Sequence, residues 1–144
     1  MNPNMEFAQK FVVAYNAALK PLCKELHLPQ TAMDILLFLA NNPEYRTASD
    51  IVEIRKLKAN LVSVNVDRLV REGYLRRQAV EGDRRKTELL CTEKAQPVIL
   101  RGREVQEAFQ ERLLSRTEGP QREAFFATLD IMSKNLDTII EGED

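Results

Sequence analysis

Three consecutive cations, Arg84-Arg85-Lys86, follow the turn-forming run Glu81-Gly82-Asp83. This segment lies between two strand-like stretches, Tyr74 to Val80 and Thr87 to Cys91. Glycine supplies the positive φ that a tight hairpin needs. A cationic tip with so little apolar surface adds nothing to a core, but it suits a phosphate backbone or a narrow minor groove. A second group of polar and apolar side chains lies just upstream, on a helix expected from Ala59 to Glu72. With Val62, Val66, Leu69 and Val70 facing inward, its opposite face carries Asn60, Leu61, Ser63, Val64, Asp67 and Arg68. Asn60 and Ser63 can hydrogen-bond base edges or phosphates, and Leu61 and Val64 can meet thymine methyls. Lys58 and Arg68 are suited to phosphate, and Arg76, at the base of the hairpin, joins them. On an ordinary solvated helix Leu61 and Val64 would be left in water, so groove contact is favoured. Of the two tip arginines one is open to a structural use, because Asp83 or Asp67 can pair with an arginine. Asn65, beside the inner stripe, needs a partner of its own.

Other chemistries find less support. The chain has two cysteines and one histidine. Without Cys-x-x-Cys or His-x-x-x-His a closed zinc site is not expected, nor is a metal site at His27. No glycine-rich phosphate loop and no His-centred triad is present, so neither an enzyme nor a bound cofactor is expected. Cys23 lies near Lys20 and Lys24, which can lower a thiol pKa and favour redox chemistry. Cys91, at an apolar strand position, reads as core.

These groups need elements to hold them. Phe7, Phe11, Val12, Tyr15, Ala18, Leu19 and Leu22 recur at helical spacing and predict a first helix that Pro21 limits or bends. A connector over Cys23–Pro29 precedes a strongly apolar second helix, from Ala32 to Ala40, with Thr31 and Asp34 spaced as a capping box. Thr47 is placed to cap a short third helix, Ala48 to Ile54; Arg55 to Lys58 turns the chain into the helix that begins near Ala59. Gly73 is a natural cap at its end. A long helix is expected from Thr92, weakened at Gly102. A last helix follows Gly119-Pro120. The fold class is therefore mainly α with a small β-hairpin, a winged helix-turn-helix over residues 30–95 flanked by helical regions 5–24 and 96–141. With 144 residues and 30% charged side chains this is a single globular domain. No run approaches a membrane span, and the first residues lack a signal-peptide pattern, so a cytoplasmic protein is expected.

The net charge of −1 conceals a polarity. From Arg55 to Lys86 ten cations face four anions, which gives +6; from Glu104 to Asp144 four cations face ten anions, which gives −6. One end is suited to a polyanion and the other to a different task.

The sequence Asp67-Arg68-Leu69-Val70-Arg71-Glu72-Gly73-Tyr74-Leu75-Arg76-Arg77, then Gly82-Asp83-Arg84-Arg85-Lys86, then Leu89-Leu90-Cys91-Thr92-Glu93-Lys94 resembles the MarR family of bacterial transcriptional regulators. Two positions depart from the family pattern: Val64 stands where many members carry an arginine, and Ala95 where glycine is usual. The resemblance implies a homodimer built from the first and last helices, bound as a repressor to a palindromic operator of double-stranded DNA. It also implies release by a small, often aromatic, effector, here in a space bordered by Phe11, Tyr15, Met33 and Leu36; those residues read equally well as core. A redox-sensing repressor using Cys23, and a winged-helix module for protein association alone, are the alternatives.

Overall fold

The computed structural model describes residues 2–142 of the chain. It contains six helices and one hairpin: α1 (Pro3–Leu26), α2 (Gln30–Asn41), α3 (Ala48–Arg55), α4 (Ala59–Arg71), β1 (Leu75–Val80), β2 (Asp83–Cys91), α5 (Ala95–Leu113) and α6 (Gly119–Glu141). The chain divides into two compact units, Met1–Phe109 and Gln110–Asp144.

In the first unit α1 begins where Asn2 accepts a hydrogen bond from the Asn4 amide at 2.8 Å, with Pro3 in the first turn, where a missing N–H costs nothing. It then runs through Pro21 and on to Leu26, past the expected stop, so residues 23–26 are helical rather than connector. Pro21 and Ala17, whose carbonyl loses its helical donor, are both exposed, while Leu19, Leu22 and Cys23 are buried. Packing of that apolar face outweighs the lost hydrogen bond at a position water can reach. His27 closes the helix in the left-handed region (φ 53°); the amide of Leu28 bonds Cys23 O at 3.0 Å and that of His27 bonds Lys24 O at 3.2 Å, a Schellman arrangement.

The expected Thr31–Asp34 box is not formed: α2 starts at Pro29 without a side-chain cap, and Asp34 instead accepts from Gln30 Nε2 at 3.1 Å. Thr47 does cap α3. Its hydroxyl accepts from the Asp50 amide and the Asp50 carboxylate accepts from the Thr47 amide, both at 3.1 Å. The core gathers Leu19 and Leu22 of α1, most of α2, Ile51 of α3, Val62, Val66 and Leu69 of α4, Leu75 and Leu89 of the hairpin and Val98 and Ile99 of α5. Gly102 belongs to this core. A Cβ there would lie 2.5 Å from Leu37 Cδ2, so the glycine lets α5 approach α2 rather than merely weakening its own helix.

The second unit holds α6, which starts with Pro120 in its first turn and ends at Gly142 (φ 78°). No residue of α6 is buried; Phe126, Leu129, Ile131, Met132, Leu136, Ile139 and Ile140 are all exposed.

Candidate nucleic-acid interface

Helices α3 and α4 are joined by a short turn in which Lys56 adopts φ 55°, a left-handed conformation that redirects the chain between the two helices. Val62, Asn65, Val66 and Leu69 form the buried face of α4. Asn65 is satisfied within its own helix, its Nδ2 donating to the Leu61 carbonyl at 2.8 Å. The opposite face carries exposed Asn60, Leu61, Ser63, Val64 and Asp67. Val64 is 68% exposed and Leu61 41%. Asn60 Oδ1 accepts from the Leu61 amide at 3.0 Å; its Nδ2 has no partner among the described residues. Lys58, at the N-cap, is also exposed.

The hairpin pairs Leu75 with Cys91 and continues in register to Ala79 with Thr87, after which Val80 pairs with Asp83. Nothing on β1 opposes Arg84, Arg85 and Lys86, so the irregularity expels the three cations from the ladder. Gly82 (φ 84°) makes the turn, with no neighbour within 4 Å of where a Cβ would stand. Asp83 Oδ1 accepts from the Arg85 amide at 3.0 Å and so shapes the backbone rather than neutralising a guanidinium. Among the described residues none of the three tip cations forms an ion pair.

The base of the hairpin is fastened in four places. Leu89 N donates to Arg46 O at 2.7 Å. Thr92 Oγ1 donates to Gly73 O at 2.6 Å, and Lys94 Nζ to Glu72 O at 2.6 Å, with the same ammonium 4.8 Å from the Tyr74 ring centre. Arg77 of β1 pairs with Asp67 of α4. Asp67 therefore does hold the hairpin, through a strand arginine and not through one at the tip. A cleft of about 360 Å³, lined by Ser49, Val52, Ser63, Arg77, Thr87 and Leu89, lies where α3, α4 and the strands meet. Arg76 is exposed and donates to Gln78 Oε1 at 3.1 Å. Arg68 is engaged inside the lobe, with Nη2 on the His27 carbonyl at 2.7 Å and Nε on Glu72 at 3.1 Å. Sequence spacing does not reveal the Arg77–Asp67 and Arg68–His27 links, since their partners are 10 and 41 positions apart.

Residues 27–86 match the sequence model of the MarR family. Over these residues the chain is similar to the MarR family. No curated protein sequence matches it. Its fold is that of solved MarR structures: a MarR protein from Peptoclostridium difficile (19% identity, 96% of this chain and 90% of that one, TM-score 0.83) and a putative MarR family regulator from Listeria monocytogenes complexed with 26mer DNA (16%, 100% and 98%, 0.85). MepR from S. aureus, in complex with DNA, is similar as well (16%, 94% and 99%, 0.78).

The residues expected to border an effector space lie in different surroundings. Met33 and Leu36 are fully buried in the core. Phe11 and Tyr15 pack edge-on against Phe109 at 5.3 and 5.4 Å, and the Tyr15 hydroxyl accepts from Gln106 at 2.9 Å. Burial pushes the Tyr15 hydroxyl up. Cys23 is buried, with Sγ 3.9 Å from Gln30 Oε1. Burial, then Asp34, pushes its thiol up, the direction opposite to that expected from Lys20 and Lys24. Burial likewise raises Cys91 and Asp34. The described residues contain no group of three or more His, Cys, Asp or Glu able to hold a metal, and no helix long and apolar enough to cross a membrane.

Proposed function

We propose that the chain is a cytoplasmic transcriptional regulator that binds a palindromic operator as a homodimer and acts as a repressor. The observation that carries this reading is a pair of exposed surfaces within one compact unit. One is the solvent-facing side of α4, with apolar Leu61 and Val64 between polar Asn60 and Ser63; the other is a hairpin tip whose Arg84, Arg85 and Lys86 have no carboxylate partner among the described residues. In this reading Asn60, Leu61, Ser63 and Val64 choose bases in the major groove. Lys58, Arg76, Arg84, Arg85 and Lys86 meet phosphates or the minor groove and set affinity and register.

The lobe is assigned to residues 30–95 and the dimer contacts to 5–24 and 96–141. Exposed Phe7, Phe11, Val12 and Val13 on α1, and an α6 with no buried residue, leave apolar surface that a second copy would bury. Two-fold symmetry then matches a palindrome with half-sites about 34–36 Å apart. Release by a small aromatic molecule that reaches Phe11 and Tyr15 completes the proposal. The raised Cys23 thiol favours this route over oxidation.

The test is fluorescence anisotropy with fragments of the chain's own upstream DNA, over a salt series, beside a mass measurement in dilute solution. Saturable binding to one palindromic fragment by a species of twice 16.5 kDa is expected. Failure to bind any fragment, with the exposed α4 face taking up a protein partner instead, would favour an association module. Phenolic acids added to the complex test release.

A further inference from the structure

Arg68 stands on the same helix as the base-facing residues, one position after Asp67, and yet both bonded edges of its guanidinium are used within the lobe. Nη2 reaches 41 positions back to the His27 carbonyl at 2.7 Å, and Nε is held by Glu72, one helical turn further on, at 3.1 Å. His27 is the left-handed residue that terminates α1. Its carbonyl points beyond the last turn of that helix, where unpaired acceptors and the negative end of the helix dipole favour a cation. A non-glycine residue in this conformation persists only where its surroundings hold it, and the arginine is one of the groups that hold it. The contact therefore fastens the end of the first helix to the recognition helix.

We propose that Arg68 is a positioning residue: it fixes the recognition helix relative to α1 and so determines which half-site spacing the operator must have. The proposal rests on the dimeric, operator-binding reading above. If α1 is held by the partner copy, the separation of the two recognition helices depends on how firmly each α4 is tied to its own α1. A firm tie turns a misplaced half-site into lost affinity, whereas a loose tie lets the helix follow the DNA. A phosphate ligand would behave differently, contributing equally at every spacing.

The experiment compares the full chain with Arg68→Gln and Arg68→Lys on the native operator and on versions with half-sites moved by one base pair in each direction, at several salt concentrations. The wild type is expected to bind the altered operators about tenfold or more weakly, a shift comparable to that of one mismatched base pair. Arg68→Gln should reduce that discrimination to about threefold or less and leave the salt slope unchanged; Arg68→Lys, which keeps a cationic donor for His27, should lie between. A salt slope lower by about 1.8 for the dimer, with spacing discrimination intact, would make Arg68 a phosphate ligand and overturn the proposal. No change in either quantity would also overturn it. Should Arg68→Gln fail to fold, Arg68→Lys and Glu72→Gln decide by the same two readouts. Failure of the wild type to bind any palindrome would refute the operator reading itself, and the wild-type arm alone would reveal it.

Discussion

Replacing Arg84 and Arg85 by alanine tests the wing quantitatively. Both side chains are exposed, both lie in the stretch of β2 that no residue of β1 opposes, and neither has a carboxylate partner among the described residues. The one acid beside them, Asp83, is occupied by the Arg85 amide. Neither arginine is therefore needed to hold the hairpin, and the double variant should keep its stability within about 0.5 kcal/mol. On DNA each lost arginine removes one neutralised phosphate per protomer, four per dimer, and at about 0.9 counterions per contact the slope of log affinity against log salt should fall by about 3.6. Between about 50 and 200 mM salt, a fourfold change, the wild type should then lose about 100-fold more affinity than the variant. Anisotropy titrations at five or six salt concentrations measure this directly. A slope change of about 1.8 would mean that one arginine per wing serves another purpose, and a change of less than about 1 would refute the wing assignment.

Three further outcomes follow from the packing and the buried titratable groups. Gly102→Ala should destabilise by about 1 kcal/mol in denaturant unfolding, because overpacking against Leu37 costs about 1–3 kcal/mol while removing a helical glycine returns about 1; a more stable variant would show that α5 and α2 are not in close contact there. Asp34→Asn bears on pH. Burial raises the folded-state pKa of Asp34 above its unfolded value, so the acid's contribution is fully present below the unfolded pKa and is lost as pH rises through the folded one. The amide should therefore stabilise the chain at pH 7, and the gain should shrink as pH falls through the raised folded-state pKa and vanish only below the unfolded value of 3.8; a gain that persists unchanged at low pH would contradict this origin. The Cys23 thiol, raised by burial, should react with iodoacetamide at neutral pH more slowly than a free cysteine. Rapid alkylation, or release of DNA by stoichiometric peroxide, would restore the oxidant-sensing alternative.

The parts of this fold legible in the sequence are those governed by local rules. Thr47 and Asp50 are three residues apart and cap α3 as that spacing predicts; Gly73 and Gly82 take the positive φ their turns require; and the period of Val62, Val66 and Leu69 assigns the faces of α4 correctly. Local rules fail where tertiary contact decides. Pro21 does not stop α1, because its exposed side tolerates a missing hydrogen bond while the other side is buried. Thr31 does not cap α2, because the helix already begins at Gln30 and Thr31 lies inside its first turn. Gly102 looks like a weakness in a long helix until Leu37 is placed against it. The same distinction divides the cations. Arg68, Arg76, Arg77, Arg84 and Arg85 are equivalent as letters, and their charge sum is all that composition supplies. Only the fold separates Arg77, bound to Asp67, and Arg68, bound to the end of α1, from the two at the tip that the strand register leaves without partners. The segment's ten cations thus overstate the number free to meet DNA, since Arg68 and Arg77 are paired within it, and the residues that position the interface carry the same charge as those proposed to touch DNA. A salt slope counts the second group and a spacing profile reports on the first, so the two measurements together sort arginines that sequence alone cannot.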